Sequence, residues 1–263
     1  MSKTPPRVLV IAGSDSSGGA GIQADIKTIT MLGGYAMTAI TAITAQNTTG
    51  VQAVQALPEE IVAAQIDSCL SDIGADAVKI GMLGSPAIAH RIADRLDRFA
   101  GPIVFDPVMV ATSGSVLADE ETVAAFGRLM SIATITTPNL PELEALADRL
   151  ELTEEAIYDA AAALAARHDG HVLAKGGHGS GDTVMELLVA PGGSALRFGH
   201  ARLETRHTHG TGCTLSSAIA TLLGHGQPME HAVRLARQFV FRALQAAPGF
   251  GAGHGPLGHQ AVR

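Results

Sequence analysis

The chain has 263 residues, with 18 basic and 25 acidic side chains that give a formal net charge of −7 at pH 7. Apolar residues make up 46% of the chain and charged residues 16%, which excludes intrinsic disorder and argues against nucleic acid as a partner. No apolar run approaches the length of about 18 residues that a membrane span needs, and the run at residues 8–12 is too short for a signal peptide. Its two cysteines, Cys69 and Cys213, do not make a disulfide framework. We therefore expect a cytoplasmic protein that binds neither membranes nor nucleic acid.

Short apolar runs alternate with longer amphipathic stretches along the chain. The apolar runs predict strands at residues 8–12, 36–44, 77–80, 103–105, 133–136 and 171–174. The amphipathic stretches predict helices at residues 22–32, 59–72, 86–99, 119–130, from 141 onward, 213–223 and 228–246. Residues 183–190 and 195–198 predict a β-hairpin, and residues 248–259 a loop. The pattern indicates one α/β domain over residues 1–263, with a mostly parallel sheet covered on both faces and an antiparallel edge hairpin.

Ligands bind at the carboxyl ends of strands in open α/β sheets, and a glycine-rich segment follows the first predicted strand. Four glycines within residues 13–21 would let the backbone approach a ligand closely. Their spacing matches neither the Walker A loop nor the dinucleotide fingerprint, which disfavours a nicotinamide-dependent oxidoreductase. Asp25, in the next helix, is either a ligand-binding carboxylate or a favourable charge near the helix start.

Two uncharged side chains follow the second and third strands. The Gln46 amide can donate and accept hydrogen bonds in one plane, as the edge of a heterocycle requires, although a loop hydrogen bond is the ordinary alternative. Met82 could wall a flat ligand, but core packing is the simpler explanation for a methionine. Neither residue indicates a function by itself.

Charged and amide side chains follow the next three strands. Asp106 is placed for work on a metal or substrate, and residues 112–115 after it are a candidate mobile cover. Asn139 can cap the helix that follows, whereas Glu142 offers an oxygen ligand suited to Mg²⁺. Lys175 precedes two glycines and would place a cation beside accessible backbone, which suits a polyphosphate. Lys175 and Lys79 both adjoin apolar runs, where a lysine requires a partner.

The most specific segment is the Gly-Thr-Gly turn at residues 210–212, which opens directly into an apolar helix. Such a turn directs unsatisfied backbone N–H groups and the positive end of the helix dipole at one spot, which predicts an anion site. Cys213 falls in the first turn, where the thiolate is favoured, and could accept a hydroxyl proton during phosphoryl transfer. Packing of a small cysteine is the alternative. A zinc site with His207 and His209 lacks a fourth donor.

Seven segments together resemble the hydroxymethylpyrimidine/phosphomethylpyrimidine kinases of thiamine synthesis, which are ribokinase-like kinases. These segments occur in the family's order at residues 12–25, 45–48, 79–83, 106–109, 137–142, 175–178 and 209–215. The resemblance extends from about Val8 to His259. It implies a three-layer α/β/α sandwich that uses ATP and Mg²⁺ to phosphorylate 4-amino-5-hydroxymethyl-2-methylpyrimidine and then its monophosphate.

The resemblance also implies a role for each matching residue. The catalytic group would consist of Cys213, which replaces the aspartate base of sugar-using relatives, and the phosphate-holding residues Gly210, Thr211 and Gly212. The pyrimidine would be held by Gly13, Asp25, Gln46, Met82 and Val108. The nucleotide would be contacted by Lys175, Thr208 and Asn139. The Mg²⁺ ion would be organised by Glu142 and Asp106.

One segment departs from the family pattern. Many members carry Lys-Ser-Gly-Asp in the cover, where this chain has Thr112-Ser113-Gly114-Ser115. The missing cation and carboxylate bear on how the phosphorylated second substrate is held. Pyridoxal kinase activity on the same scaffold is the alternative function. A non-catalytic pyrimidine sensor is disfavoured, because binding alone needs none of Cys213, Lys175 and Glu142. We expect a homodimer.

Overall fold

The structure, a computed structural model, describes residues 4–111, 114–149, 152–176 and 182–262. Within these residues one nine-stranded sheet has α-helices packed on both faces. No helix in the described part of the chain is both long enough and apolar enough to cross a membrane. The α/β class and the mostly parallel sheet expected from the sequence are confirmed.

The sheet has parallel strands at its centre and antiparallel strands at both edges. The strands are β1 (Arg7–Asp15), β2 (Tyr35–Asn47), β3 (Gly50–Ala56), β4 (Ala77–Ile80), β5 (Ile103–Phe105), β6 (Ile135–Thr136), β7 (His171–Lys175), β8 (Thr183–Val189) and β9 (Ala195–Ala201). Their spatial order is β3-β2-β1-β4-β5-β6-β7-β8-β9. Neighbours from β2 to β7 are parallel, so their carboxyl ends meet at one edge of the sheet. The pairs β2–β3, β7–β8 and β8–β9 are antiparallel.

The helices divide between the two faces of the sheet. They are α1 (Gly21–Met31), α2 (Glu59–Asp72), α3 (Pro86–Leu96), α4 (Glu120–Met130), α5 (Leu140–Ala147), α6 (Glu154–His168), α7 (Thr211–Gly224) and α8 (Met229–Gln245), followed by a 3₁₀ turn at His259–Ala261. Alternate residues of β1 face opposite sides: Val8 and Val10 pack with α1, α7 and α8, whereas Leu9 and Ile11 pack with α2, α3, α4 and α6. Burial on both faces explains why the central strands read as continuous apolar runs.

Three parts of the chain differ from the sequence-based prediction. Strand β3 was not predicted, because its side chains alternate between small apolar residues and glutamine and are mostly exposed at the sheet edge. The helix predicted from residue 141 onward is two helices. The first ends at Asp148, which adopts a left-handed conformation with φ of 51°, and the second begins after the cap at Thr153. The C-terminal segment, predicted as a loop, contains one 3₁₀ turn.

A fully buried ion pair joins the sheet to two helices. Lys79 on β4 donates to both carboxylate oxygens of Asp25 on α1, at 3.1 and 3.0 Å, and both side chains have 0% exposure. Ser217 on α7 donates to Asp25 at 2.7 Å. Burial would lower the pKa of Lys79, but the attraction of Asp25 outweighs it, so the pKa lies above its usual value and the amine stays charged. The partner that a lysine in an apolar strand requires is therefore Asp25.

This pairing predicts a specific pattern of stability. Lys79→Met leaves the Asp25 carboxylate buried without its cation, which should lower the free energy of unfolding by about 3–5 kcal/mol. The double variant Lys79→Met/Asp25→Leu removes both charges and should recover a large part of that loss. Urea unfolding of the three proteins measures the difference. Equal losses in the single and double variants would show that the charge imbalance is not the cause.

Candidate active site

A cavity of about 940 Å³ lies at the carboxyl ends of the parallel strands. It occupies the edge of the sheet at which the sequence predicted a ligand. All but one of the candidate residues line it: Gly13, Gln46, Met82, Asp106, Val108, Asn139, Glu142, Lys175, Thr208, Gly210, Thr211, Gly212 and Cys213. The topology thus brings together side chains that are up to 200 positions apart in the sequence.

The exception is Asp25, which the resemblance placed against the pyrimidine. Its side chain is completely buried between Lys79 and Ser217 and is not among the residues that line the cavity. The placement expected for Asp25 is therefore wrong in this structure. The physical reason is that the apolar strand β4 carries Lys79, which needs an anionic partner inside the fold. Lys79 itself lines the cavity, so Asp25 acts on the site through this lysine.

The turn before α7 has a backbone geometry that suits an anion. Gly210 has a left-handed backbone with φ of 88°, and a Cβ there would collide with the carbonyl oxygen of Gly19. Helix α7 begins without a side-chain cap, and its first N–H group, that of Thr211, makes only a long hydrogen bond of 3.3 Å to the Thr208 carbonyl. Uncapped N–H groups at a helix start are suited to an anion. A Cβ on Gly212 would lie 3.4 Å from both Lys175 Nζ and Asp106 Oδ2. The turn therefore lies directly beside the side chains of Lys175 and Asp106.

Lys175 and Asp106 form the charged centre of the cavity. Lys175 Nζ donates to Asp106 Oδ1 at 2.8 Å and lies 4.0 Å from Glu142 Oε2. Thr137 also donates to Asp106, at 2.9 Å. Burial alone would raise the pKa of Asp106, but the two lysines Lys175 and Lys79 lower it below its usual value. Asp106 is thus an ionised carboxylate that can face a cation.

Glu142 takes part in the cap of helix α5 and also lies beside Lys175. Its carboxylate accepts from the Asn139 N–H at 2.8 Å, while the Asn139 side chain accepts from the Glu142 N–H at 2.9 Å, which makes a capping box at the start of α5. The predicted cap at Asn139 is confirmed, and Glu142 takes part in it. Burial raises the pKa of Glu142 to about 7, with repulsion from Asp106 in the same direction and Lys175 opposing it.

The donor set of the site fits Mg²⁺ better than zinc. Asp106 and Glu142 offer carboxylate oxygens beside an anion site, and Mg²⁺ is commonly held by one or two carboxylates together with substrate phosphates. Among the described residues, no group of three histidine, cysteine or acidic side chains is arranged to hold a metal ion. The zinc site considered from His207, His209 and Cys213 is therefore not supported.

Cys213 departs from the sequence-based expectation. Removal from water raises the pKa of its thiol to about 11; Lys79 opposes this shift, whereas Asp25 and Asp106 add to it. The helix N-terminus does not outweigh these effects, so the expected thiolate is wrong for the ligand-free site. The sulfur also accepts a hydrogen bond from the Gly21 N–H. The Cys213 sulfur thus lies between the turn at residues 210–212 and the glycine-rich segment.

The opposite wall of the cavity has a mixed surface. Gly13 allows the close approach of Met82, because a Cβ there would lie 2.9 Å from the Met82 sulfur. Thr41 holds the Met82 carbonyl with a hydrogen bond of 2.7 Å. Gln46 lies beside His209, with Gln46 Nε2 3.3 Å from His209 Nε2. This wall combines a polarisable thioether with an amide, which suits a flat, polar heterocycle.

Several cavity residues had not been selected from the sequence. Asp15 and His209 form a pair at 2.9 Å on the amide wall. Arg237 pairs with Glu186 and lies over Phe198, with 5.0 Å from its guanidinium carbon to the ring centroid. Asp15 falls inside the glycine-rich segment, which was a usable signal. The Arg237 group is contributed by β8, β9 and α8, and no local pattern links these elements.

Parts of two predicted motifs lie outside the described residues. They are Thr112 and Ser113 of the cover and the Gly177 and His178 that follow Lys175. Gly114 and Ser115 are described and lie in the segment that joins β5 to α4, and Gly114 lines the cavity.

Comparison with known proteins places the chain in a family. A family model described as phosphomethylpyrimidine kinase matches residues 15–258. The hydroxymethylpyrimidine/phosphomethylpyrimidine kinase of Rhizobium meliloti is 47% identical over 255 residues, which cover 95% of this chain and 96% of that protein. The chain also spans 35% and 52% of two longer relatives, a multifunctional thiamine biosynthesis protein of Corynebacterium efficiens and a bifunctional one of Geobacter sulfurreducens.

Solved structures agree with this placement. The ADP complex of Bacillus subtilis pyridoxal kinase has a TM-score of 0.90 and 33% identity, covering 98% of this chain and 99% of that one. The phosphomethylpyrimidine kinase of Clostridium difficile has a TM-score of 0.79 and 38% identity, covering 90% of this chain and 99% of that one. With the family match over most of its length, the chain belongs to the phosphomethylpyrimidine kinases.

Proposed function

We propose that this protein transfers the γ-phosphoryl group of ATP to the hydroxymethyl oxygen of 4-amino-5-hydroxymethyl-2-methylpyrimidine, and then phosphorylates the resulting monophosphate to the diphosphate. In the first step the alcohol oxygen forms a bond to the γ-phosphorus and the bond from that phosphorus to the β–γ bridging oxygen breaks. ADP leaves with the bridging oxygen, and the alcohol proton passes to a base.

One observation carries the proposal. A single cavity combines an uncapped helix N-terminus, a lysine–carboxylate centre beside it and a wall with an amide and a thioether. The first two features suit a polyphosphate, and the third suits a small polar ring. Phosphoryl transfer depends mainly on positioning and on stabilisation of charge, which this combination supplies.

The described residues fit ATP and Mg²⁺. Lys175 and the N–H groups of Gly210, Thr211 and Gly212 would hold the transferring phosphate, with Thr208 and Asn139 nearby. Asp106 and Glu142 would hold Mg²⁺, which neutralises charge on the phosphate oxygens when bound. The Rhizobium meliloti relative is named for both pyrimidine substrates, and the Bacillus subtilis pyridoxal kinase structure contains ADP.

Cys213 is the proposed base for the alcohol proton. It lines the cavity at the first turn of α7, next to the N–H groups that would hold the phosphate. Its thiol is protonated at neutral pH in the ligand-free site, so it can act as a base only in the fraction of molecules that have lost that proton. The expected homodimer and cytoplasmic location stay predictions.

Pyridoxal kinase activity is the second candidate, because pyridoxal kinases from solved structures share the fold with TM-scores near 0.9. Both substrates carry a hydroxymethyl group on a six-membered aromatic ring. The pyrimidine is favoured by the relatives that match most of this chain and by the paired donor and acceptor of Gln46.

A product-resolved assay tests the function. The protein, with Mg²⁺ and ATP, should convert the hydroxymethylpyrimidine to its monophosphate and then to its diphosphate, and kcat/KM for pyridoxal should be lower. Lys175→Met should reduce kcat by at least about 10²-fold, because it removes a preorganised charge from the phosphate site. Arg128→Met, which removes an exposed cation that pairs with Asp94 and lies outside the cavity lining, serves as the control. Accumulation of monophosphate without diphosphate would contradict the second step, and preference for pyridoxal would contradict the first.

The role of Cys213 predicts a pH dependence. Because the thiol pKa is raised to about 11 in the ligand-free site, the thiolate fraction increases across pH 7–9, and kcat/KM should rise about tenfold per pH unit in that range. Cys213→Ala should lower kcat by about 10²–10⁴-fold, leave pyrimidine affinity nearly unchanged and remove the rise with pH. Cys69→Ala, at the other cysteine, should keep both rate and profile. A Cys213→Ala variant with the same pH profile as the wild type would show that the sulfur is not the base.

A further inference from the structure

Three polar side chains form a continuous chain along the wall of the cavity that carries Gln46 and Met82. His209 Nε2 lies 2.9 Å from Asp15 Oδ2 and 3.3 Å from Gln46 Nε2. Asp15 is 2% exposed and His209 is 6% exposed, whereas Gln46 is half-buried and faces the cavity. The order of the three residues runs from the protein interior to the ligand space.

Asp15 is held as an ionised carboxylate. Its oxygens accept from the N–H groups of Ser17, Gly19 and Ala20 at 2.8–3.0 Å, from the Ser17 hydroxyl, and from His209. Burial would raise the pKa of Asp15, but the hydrogen bonds from His209, Ala20 and Ser17 outweigh it and hold the pKa well below its usual value. Asp15 can therefore only accept hydrogen bonds in this site.

The contacts of His209 fix the position of its ring and determine that Nε2 carries a hydrogen. A Cβ on Gly19 would collide with the ring carbon Cδ2, so the ring packs directly over this glycine. The backbone N–H of His209 donates to the Gly255 carbonyl at 3.1 Å, which anchors the residue next to the ring. Since the Asp15 carboxylate only accepts, His209 Nε2 carries a hydrogen and donates it. This holds for the neutral ring and for the charged ring alike.

The proton on His209 determines the orientation of the Gln46 amide. Nε2 of Gln46 is also a donor, and two donor nitrogens at 3.3 Å repel one another. A half-turn of the amide exchanges its oxygen and nitrogen and places Oε1 beside the His209 Nε2–H, which Asp15 and Oε1 then share as a bifurcated hydrogen bond. The Gln46 backbone stays in place during this turn, because Ser16 bonds to its N–H at 2.9 Å and to its carbonyl at 2.8 Å.

We infer that Asp15 and His209 are positioning residues that set the polarity of the Gln46 amide, with Oε1 held by His209 and Nε2 presented to the ring of the substrate. This inference rests on the proposed function and names the feature that selects the ring. Oε1 keeps a second lone pair that can accept from an exocyclic amino group, while Nε2 donates to the neighbouring ring nitrogen.

The arrangement makes a prediction about substrate choice. A 4-aminopyrimidine offers a ring acceptor beside an exocyclic donor, which matches the Gln46 amide in this orientation. The corresponding 4-oxo ring, 5-hydroxymethyl-2-methylpyrimidin-4-one, offers the reverse pattern: a ring N–H beside an exocyclic acceptor. The two rings have nearly the same shape, so their relative affinity reports the orientation of the amide and little else.

The test compares the two rings in the full-length protein. Dissociation constants from calorimetry and kcat/KM with Mg²⁺ and ATP are measured for the wild type, His209→Leu, His209→Gln and Asp15→Asn. The wild type should prefer the amino ring. His209→Leu removes the donor and lets the amide turn, so the preference should fall by about tenfold or more, mainly through KM rather than kcat. His209→Gln keeps a donor near the Nε2 position and should retain most of the preference.

Asp15→Asn is the conservative variant, because Asp15 Oδ2 also accepts from the Gly19 and Ala20 N–H groups and the amide oxygen therefore takes that position. His209 keeps its donated hydrogen, and the preference should be retained. His259→Asn is the control, since His259 is 1% exposed, bonds to Thr214 and does not line the cavity. Such a merely structural change should leave the ratio unaltered even if less protein folds.

Two outcomes are distinguishable. If the wild type prefers the amino ring and His209→Leu keeps that preference, the inference is overturned while the proposed function stands. If the wild type neither binds nor phosphorylates the amino ring, the proposed function fails, and the inference fails with it.

Discussion

The close backbone contact between Gly19 and Gly210 is the constraint on which the site depends. It joins the glycine-rich segment after β1 to the turn before α7, and neither glycine could carry a side chain without collision. The left-handed Gly210 then starts a helix with no side-chain cap, and residues 210–213 line the cavity. Because β1 and its neighbours are parallel, the same contact brings the wall with Gln46 and Met82 and the turn at residues 210–212 to one edge of the sheet.

Buried charge is the second organising feature. Two lysines and two aspartates lie within the fold as matched pairs, Lys79 with Asp25 and Lys175 with Asp106. The first pair has no exposed side-chain surface and ties β4 to α1, with Lys79 bordering the cavity, whereas Lys175 of the second pair is partly exposed there. Removal of water from this region also raises the pKa of Cys213, so the electrostatics that suit a phosphate oppose formation of the thiolate. A base in such a site acts through a small deprotonated fraction or through the charge of a bound ligand.

Much of the fold was predictable from the sequence, and the reasons are local. Central strands such as β1 are buried on both faces and appear as unbroken apolar runs. Asn139, the N-cap residue of α5, indicates where that helix begins. Strand β3 was missed because an exposed edge strand has no apolar run. Most of the candidate residues that line the cavity were selected because glycines, amides or charges follow a strand there. Asp25 was misplaced, because the lysine that captures it is 54 positions away, and His209 was undervalued, because its partner Asp15 is 194 positions away.

The central claim is that the N–H groups at the start of α7 hold the phosphoryl group in transit, with the pyrimidine alcohol in line with it. A crystal structure of the protein with Mg²⁺, a non-hydrolysable ATP analogue and the hydroxymethylpyrimidine tests it most directly. The account predicts the γ-phosphorus within hydrogen-bonding reach of the amides of residues 210–213, with the ring against Gln46 and Met82. A γ-phosphorus bound at another place in the cavity, with these amides facing only solvent, would contradict the account.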